Sequence, residues 1–264
     1  MKTDNEFRVT ILGSGTCVPS LKRSACSLFM ETGGHKMVFD VGPGTMRRLL
    51  EADAEIFDVD FIFLSHFHPD HTGELVPFLF SNKYADGNRR QKPLTLVGGK
   101  GIRNFFSALQ RIYGKWIALE AGMMNIIELD NSAFDSYAFE GFSVESAPVA
   151  HNPESIAYRI TAMGNRSMVY SGDTDFNENL IRLALNADLL ICESAFPELL
   201  KTEGHLTPSL AGKIAASAQV RKLVLTHLYP ECDDVDIKKE CRQSYSGPII
   251  IAEDLMEIEV PNAR

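Results

Sequence analysis

Three histidines and one aspartate fall within six consecutive residues, 66–71, which read His-Phe-His-Pro-Asp-His. In an extended segment, side chains two residues apart point the same way, so His66 and His68 can reach one cation together. Pro69 interrupts the extended path, and Asp70 and His71 can then turn toward a second position. Imidazole and carboxylate donors suit borderline metals such as zinc and manganese. The spacing therefore predicts a metal centre.

Apolar strands are expected to position this centre. The run Phe61–Leu64 is short and wholly apolar, as in a strand buried on both faces, and it leads directly into the six-residue segment. His151 and His227 each follow a predicted strand, and Asp173 lies in a tight turn that ends another. Each of these three alone is more typical of a structural histidine or an ordinary turn. Together they lie at carboxyl ends of strands, where layered α/β folds place their sites, so we expect them to join the centre.

Strand and helix patterns follow one another along the chain, with no linker, low-complexity tract or short repeat. We predict strands at Phe7–Leu12, Cys26–Glu31, Lys36–Val41, Phe61–Leu64, Leu94–Val97, Phe142–Val149, Ile156–Thr161, Ser167–Ser171, Asp188–Cys192, Leu223–Thr226, Pro248–Ala252 and Met256–Val260. We predict helices after Gly44 (with Met46, Leu49 and Leu50 on one face), at Glu74–Phe80, Ile102–Tyr113 and Glu178–Leu185, and from Pro208 to Ala218 with Thr207 as N-cap.

Hairpins come first in each half of this pattern, around Gly33-Gly34 and Gly164-Asn165, and strand–helix alternation follows. This order predicts an α/β fold in which two mixed sheets pack face to face between outer helices, a four-layer αββα sandwich. We expect residues 1–264 to form a single domain. A dinucleotide site at Gly13-Ser14-Gly15 is disfavoured, because no third glycine follows at the required spacing.

Composition narrows the class of protein further. The chain has 264 residues and 45% hydrophobic content, enough for a substantial core. No apolar run approaches the roughly 20 residues that span a bilayer, and residues 1–8 are polar and lack signal-peptide organisation. We therefore expect a cytoplasmic protein without a membrane partner. The five cysteines are scattered without a C-x-x-C pair, which indicates free thiols.

The net charge of −9 argues against a broad nucleic-acid-binding surface. The best basic candidates are Arg89, Arg90 and Lys92, which we interpret as a solvated loop. A small anion held by metal ions needs no such patch, so the charge does not exclude a phosphate-containing substrate.

The chain resembles the metallo-β-lactamase fold superfamily, specifically its ribonuclease Z-like branch. Residues 66–71 match the superfamily's H-x-H-x-D-H signature. The resemblance covers nearly the whole chain, and its motifs are residues 13–15, 39–44, 66–71, His151, 171–174, 193–196, 204–207, 225–227 and 252–254. The segments 193–196 (Glu-Ser-Ala-Phe) and 204–207 (Gly-His-Leu-Thr) point to the ribonuclease Z-like branch rather than to lactamases or thioester hydrolases.

The resemblance implies a binuclear metal hydrolase. One metal would be bound by His66, His68 and His151, the other by Asp70, His71 and His227, and Asp173 would bridge them. Two such cations stabilise a bridging hydroxide at neutral pH and hold the attacked phosphoryl group. We expect two divalent ions, with Zn²⁺ first and Mn²⁺ second.

The resemblance also implies a catalytic pair on the leaving-group side. His205, oriented by Glu193, would protonate the departing oxygen or bind a phosphate oxygen, and Asp70 would also orient the nucleophile. His205 precedes the helix that starts at Pro208, whose free N–H groups favour an anion. The alternative interpretation is a capping-loop histidine beside a buried glutamate.

Two departures from the family pattern change which substrate class we expect. The long Gly/Pro-rich arm with which tRNA 3′-processing enzymes grip tRNA is absent between His151 and Asp173. After His227, Leu-Tyr-Pro-Glu replaces the usual Arg-Tyr-containing run. We therefore favour a phosphodiesterase for a small anionic phosphodiester, such as a cyclic nucleotide or a short nucleotide end. The alternatives are a tRNA 3′ endonuclease acting on RNA, a hydrolase of a sulfate ester or lactone, and an inactive metal-dependent binding protein.

One further segment has three open interpretations. Residues 116–124, which include Trp116 and the pair Met123-Met124, could line a pocket wall, form a homodimer contact, or belong to the core. Apart from this segment, we expect a homodimer only by analogy with the family.

Overall fold

Two seven-stranded sheets form the centre of the computed structural model, which describes residues 7–84 and 90–260. The strands are β1 (Phe7–Gly13), β2 (Ser27–Thr32), β3 (His35–Phe39), β4 (Phe61–Leu64), β5 (Leu94–Gly99), β6 (Met124–Leu129), β7 (Asp135–Phe139), β8 (Phe142–Pro148), β9 (Ile156–Ala162), β10 (Ser167–Tyr170), β11 (Leu189–Glu193), β12 (Leu223–Thr226), β13 (Ile249–Ile251) and β14 (Met256–Glu259). The orders are β14-β1-β2-β3-β4-β5-β6 and β13-β12-β11-β10-β9-β8-β7.

Seven α-helices are present in the described residues, and those with buried apolar faces cover the outer sides of the sheets. They are α1 (Thr45–Glu51), α2 (Pro69–Thr72), α3 (Leu75–Tyr84), α4 (Ile102–Tyr113), α5 (Glu178–Leu183), α6 (Pro208–Ser217) and α7 (Ile237–Arg242). Short 3₁₀ turns lie at Gly114–Trp116, Glu198–Leu200 and Pro230–Asp234. Among the described residues, no helix has the length and apolar character needed to cross a membrane.

Both sheets are mixed, as the sequence predicts. In the first, β1, β2 and β3 pair antiparallel, and β3 to β6 continue in parallel. In the second, β7 to β10 pair antiparallel, and β10 to β13 continue in parallel. The parallel strands β10, β11 and β12 therefore end at the same edge of the second sheet, and the polar residues that follow them are brought together there.

Three apolar layers hold the sandwich together. The middle layer lies between the sheets and contains the stacked rings of Phe39 and Phe63, whose centroids are 4.8 Å apart, with Tyr158 and Tyr170 edge-on to Phe39. A second layer joins the first sheet to its outer helices, and a third joins the second sheet to α5 and α6. Burial of these apolar side chains is the main stabilising contribution to the fold. The predicted four-layer αββα sandwich is thus confirmed.

Several local predictions were incomplete. Leu50 is 64% exposed, whereas Leu49 is fully buried, so the predicted apolar face of α1 does not include Leu50. Strands β6 and β7 and helix α7 were not predicted. Helix α6 begins as predicted, with the Thr207 hydroxyl accepting a hydrogen bond from the Leu210 N–H.

The interpretation of the basic residues as a solvated loop is wrong for Arg90. Arg90 is buried, and its guanidinium donates hydrogen bonds to the carbonyl oxygens of Ile56 and Val59 and to Asn82 Oδ1. Lys92 Nζ lies 3.6 Å from Asp60 Oδ1. Arg89 lies outside the described residues.

Candidate metal centre

The segment after β4 changes from extended chain to helix at its midpoint. His68 is extended, with φ −62° and ψ 149°, and Pro69 occupies the first position of the one-turn helix α2. The predicted change of direction at Pro69 is therefore present. It places His66 and His68 before the turn and Asp70 and His71 within it.

The two carboxylate oxygens of Asp173 face different groups of histidines. Oδ2 lies 3.7 Å from Nε2 of His66 and 3.9 Å from Nε2 of His151. Oδ1 lies 3.3 Å from Nε2 of His71 and 3.4 Å from Nε2 of His227. One buried carboxylate thus separates two sets of imidazole nitrogens, which is the geometry of a bridging ligand.

Three sets of side chains in the described residues bring possible ligand atoms within 4.8 Å of one another. They are His66, His68, His151 and Asp173; Asp70, His71 and His227; and Asp173, His205 and His227. The first two sets contain all seven ligands expected from the sequence. The third places His205 close enough to the cluster to be an alternative ligand.

Unpaired buried atoms indicate that this cluster is built for cations. Nε2 of His66, Nε2 of His71, both ring nitrogens of His227 and Oδ1 of Asp173 are buried and have no hydrogen-bond partner among the described residues. Such groups are costly to bury unless something else satisfies them. Nitrogen and carboxylate donors aimed at common points fit divalent metal ions. The residues present could therefore hold such ions.

Hydrogen bonds behind the cluster orient its rings. Asp40 Oδ2 accepts hydrogen bonds from His71 Nδ1 (2.7 Å) and from the hydroxyls of Tyr170 (2.7 Å) and Ser65 (2.8 Å). Because the Ser65 hydroxyl donates to Asp40, its oxygen is free to accept from His66 Nδ1, 3.0 Å away. Both imidazoles then carry their proton on Nδ1 and leave Nε2 free for a cation, as is usual around protein metal sites.

Asp40 is the functional residue whose role the sequence reasoning missed. It follows the apolar strand β3 as Asp173 follows β10, so the same signal, a carboxylate at a strand end, could have identified it. It is completely buried and has a φ of 56°. Its carboxylate contacts the candidate ligand His71 directly and the candidate ligand His66 through Ser65.

The loop before α6 supports the opposite side of the cluster. The carbonyl oxygen of Gly204 accepts a hydrogen bond from His151 Nδ1 at 2.9 Å, which again leaves Nε2 facing Asp173. The Asp175 carboxylate accepts hydrogen bonds from the Gly204 N–H and from Lys201 Nζ. Gly204 has a φ of 83°, and a Cβ there would lie 3.2 Å from His151 Nδ1. A side chain at this position would strain the backbone and crowd the His151 ring, so the position favours glycine.

Glu193 and His205 form a pair, as expected. Glu193 Oε1 lies 3.0 Å from His205 Nδ1, and the buried carboxylate also accepts hydrogen bonds from the N–H groups of Thr174, Ala195 and Leu206. Glu193 is thus held by backbone groups and cannot easily turn away from His205. Both interpretations of His205, the catalytic pair and the capping-loop histidine, place it beside Glu193, so the contact fixes the position of the ring.

Local charges and burial favour the cation-binding form of three candidate ligands, Asp173, Asp70 and His66. Burial alone would raise the pKa of Asp173, but His227 and His71 outweigh it and hold that pKa well below its usual range. Burial also opposes ionisation of Asp70, yet His227 and His71 lower its pKa to about 2. Burial and then His71 lower the pKa of His66 well below its usual value. Two carboxylates and a neutral imidazole are thus available at neutral pH.

Two other histidines of the site, His205 and His71, have raised pKa values. Burial lowers the pKa of His205, but the hydrogen bond and charge of Glu193 raise it overall. His71 likewise has its pKa raised, because Asp173 and Asp40 outweigh burial. Protonated His205 is the form that can donate a proton from Nε2 while Nδ1 faces Glu193.

An apolar groove of about 740 Å³ adjoins the cluster on the side of α2. Its lining includes Phe67, Pro69, Phe105, Tyr113 and Trp116. The rings of Phe67 and Phe105 are stacked, with centroids 4.7 Å apart. Of the open interpretations for residues 116–124, the exposed Trp116 fits a groove wall and the buried Ile117 fits the core.

Comparison with known proteins gives one family match across most of the chain. A model of the family described as Anti-Pycsar protein Apyc1 matches residues 7–242. The ribonuclease Z of Methanosarcina acetivorans is 29% identical, with 97% of this chain and 98% of that protein covered.

Two solved structures have the same arrangement of strands and helices. The metallo-β-lactamase fold protein YhfI from Bacillus subtilis matches with a TM-score of 0.82 and 24% identity, over 97% of this chain and 100% of that one. The short form of human tRNase Z matches with a TM-score of 0.78 and 24% identity, over 96% and 99% of the two chains. At these identities the structural matches establish the fold alone.

Proposed function

The chain belongs to the Anti-Pycsar protein Apyc1 family and is a metal-dependent hydrolase with the metallo-β-lactamase fold, and from that premise we propose that it hydrolyses a small phosphodiester, such as a cyclic nucleotide, at a two-metal centre. Its place in the ribonuclease Z-like branch agrees with the sequence motifs at 193–196 and 204–207.

The observation that carries this proposal is the position of Asp173. Its two oxygens face separate pairs of imidazoles at 3.3–3.9 Å, so it can join two cations and offset part of their mutual repulsion. We assign one cation to His66, His68 and His151 with Asp173, and the second to Asp70, His71 and His227 with Asp173. When bound, the ions would activate water as a nucleophile at neutral pH and stabilise charge on the transferring phosphoryl group.

The chain's own groups supply orientation and proton transfer. His205 donates a proton from its ring to the departing oxygen, and Glu193 fixes the ring and favours its protonated form. Asp70, beside His227 and His71, helps to orient the attacking water. Asp40, through Ser65 and His71, keeps the ligand nitrogens aimed at the cations.

The size of the substrate is inferred from what the chain lacks. Strands β9 and β10 are joined directly by residues 163–166, so no arm for gripping a folded RNA projects there. The alignment with the Methanosarcina ribonuclease Z runs over 312 positions against 264 residues here, so that relative carries segments this chain is without. Arg90, one of the three basic residues considered for an RNA-binding patch, is buried and bonded to backbone carbonyl oxygens. These features favour a small substrate over tRNA.

The test is a comparison of ester classes with protein reconstituted with Zn²⁺ or Mn²⁺. We expect hydrolysis of bis(p-nitrophenyl) phosphate that a chelator abolishes, with little turnover of p-nitrophenyl sulfate or a lactone. Turnover of the sulfate or lactone instead would retain the metal centre and overturn the substrate class. Stoichiometric metal binding with no turnover of any ester would favour a metal-dependent binding protein.

A further inference from the structure

Two aromatic side chains are stacked at the ends of neighbouring strands. Phe196 follows β11 and Tyr229 follows β12, and their ring centroids lie 4.2 Å apart with the planes inclined by 22°. The Tyr229 N–H donates a hydrogen bond to the carbonyl oxygen of Ala195, which fixes one loop against the other. Both rings are partly exposed, so the pair is not simply part of the core.

This aromatic pair stands beside the catalytic histidine. The His205 ring centroid is 6.3 Å from that of Phe196 and 6.4 Å from that of Tyr229. Tyr229 also lies 6.0 Å from His227, in an edge-to-face arrangement. The Tyr229 hydroxyl is within 3.5 Å of Cys17 Sγ, which ties the ring to the loop after β1. The pair therefore forms one fixed wall of the site, on the side of His205.

The position of His205 determines which part of the substrate this wall would contact. In the proposed mechanism His205 protonates the oxygen that leaves phosphorus, and in a 3′,5′-cyclic nucleotide that oxygen belongs to the ribose, which stays joined to phosphorus through its other ester bond. The ribose carries the base, so the nucleoside must lie next to His205. Aromatic rings are the usual partners of nucleobases, because every base has a π-face that can stack on them.

We propose that Phe196 and Tyr229 form a stacking platform for the nucleobase of the nucleotide whose ribose oxygen leaves phosphorus. This inference rests on the proposed phosphodiesterase function and on the role of His205. Stacking does not read hydrogen-bonding edges, so the platform selects for a base without selecting which base.

The competing location is the apolar groove that contains Phe67 and Trp116. It adjoins the cluster through Phe67 and Pro69, whereas His205 lies beside Phe196 and Tyr229 in addition to the histidines His151 and His227. Trp116 is 50% exposed and provides a matched aromatic position for a control.

The experiment compares a 3′,5′-cyclic nucleotide with the base-free ribose 3′,5′-cyclic phosphate, both followed by ³¹P NMR with metal-loaded protein. We expect Phe196→Leu and Tyr229→Leu each to raise KM for the nucleotide about 10-fold or more, the typical scale of one stacking contact, and to leave KM for the base-free substrate unchanged. Tyr229→Phe, which keeps the ring, should retain the wild-type KM. Trp116→Leu should leave both substrates unaffected.

Three outcomes would overturn the platform. Equal losses on both substrates would mean that the rings only pack the loop. A rise in nucleotide KM with Trp116→Leu but not with Tyr229→Leu would place the base in the groove. If the wild type hydrolyses neither substrate nor an aryl diester, the phosphodiesterase function itself fails and the platform with it, a result distinct from the first two.

Discussion

The carboxylate of Asp40 lies 2.7 Å from Nδ1 of His71, and both side chains are completely buried. Neither residue could keep its polar atoms away from water without such a partner. The contact turns Nε2 of His71 toward Asp173 and Asp70, at 3.3 and 3.8 Å. Asp40 thus sets the direction of a candidate metal ligand.

Replacing Asp40 should weaken metal binding. Asp40→Asn keeps the size of the side chain but puts an amide where His71, Ser65 and Tyr170 all donate hydrogen bonds. We expect metal affinity to fall about 10- to 100-fold, measured by titration with a competing chelator. Asp58→Asn, at a largely exposed carboxylate paired with Lys36, should change nothing. Wild-type affinity in Asp40→Asn would show that the ring of His71 is oriented by other means.

Removing Asp173 should remove most bound metal and most activity. Both sets of imidazoles lose their shared carboxylate in Asp173→Ala, and the repulsion between two cations is then no longer offset. Metal content by atomic emission after gel filtration measures this directly. Two equivalents of tightly held metal in the variant would refute the bridging assignment.

His205 should matter for chemistry rather than for metal retention. In His205→Ala we expect two metal equivalents and a fall in kcat of about 10²-fold or more on a substrate with an alkoxide leaving group. The loss should be much smaller for a p-nitrophenolate leaving group, which needs no protonation. Loss of metal from this variant would instead make His205 a ligand, as its closeness to Asp173 and His227 allows.

The pH dependence should report the contact between Glu193 and His205. Burial lowers the pKa of His205, but Glu193 raises it overall. In the proposed mechanism the protonated ring is the acid. Activity therefore persists up to the raised pKa and falls above it. In Glu193→Gln the raising influence is lost, so the decline in kcat should begin at lower pH, compared at equal metal content. If the decline in kcat at high pH does not move in this variant, the decline reports the titration of a group other than His205.

The sequence predicted the interior of the fold better than its edges. Strands such as β4 and β12, which are buried throughout, have continuous apolar runs. The missed strands β6 and β7 are edge strands with mixed burial, so neither alternation nor a solid apolar run marks them. The six-residue helix α7 is largely polar, and its place depends on packing against α6 rather than on its own pattern.

In the candidate site, residues that are close in sequence were easier to predict than residues that folding brings together. Residues 66–71 are recognisable because their donors are neighbours in sequence. Asp40 acts through Ser65 and His71, 25 and 31 residues away, and Gly204 acts through His151, 53 residues away. Such contacts follow from the packing of the two sheets, which a single sequence does not display.

The most direct test of the central claim is the hydrolysis of a 3′,5′-cyclic nucleotide beside a tRNA precursor, with the same metal-reconstituted protein. We predict chelator-sensitive conversion of the cyclic nucleotide to its monophosphate and no cleavage of the precursor at its 3′ end. Cleavage of the precursor, with the cyclic nucleotide left intact, would contradict the small-substrate account and make the chain a tRNA-processing enzyme that works without the arm.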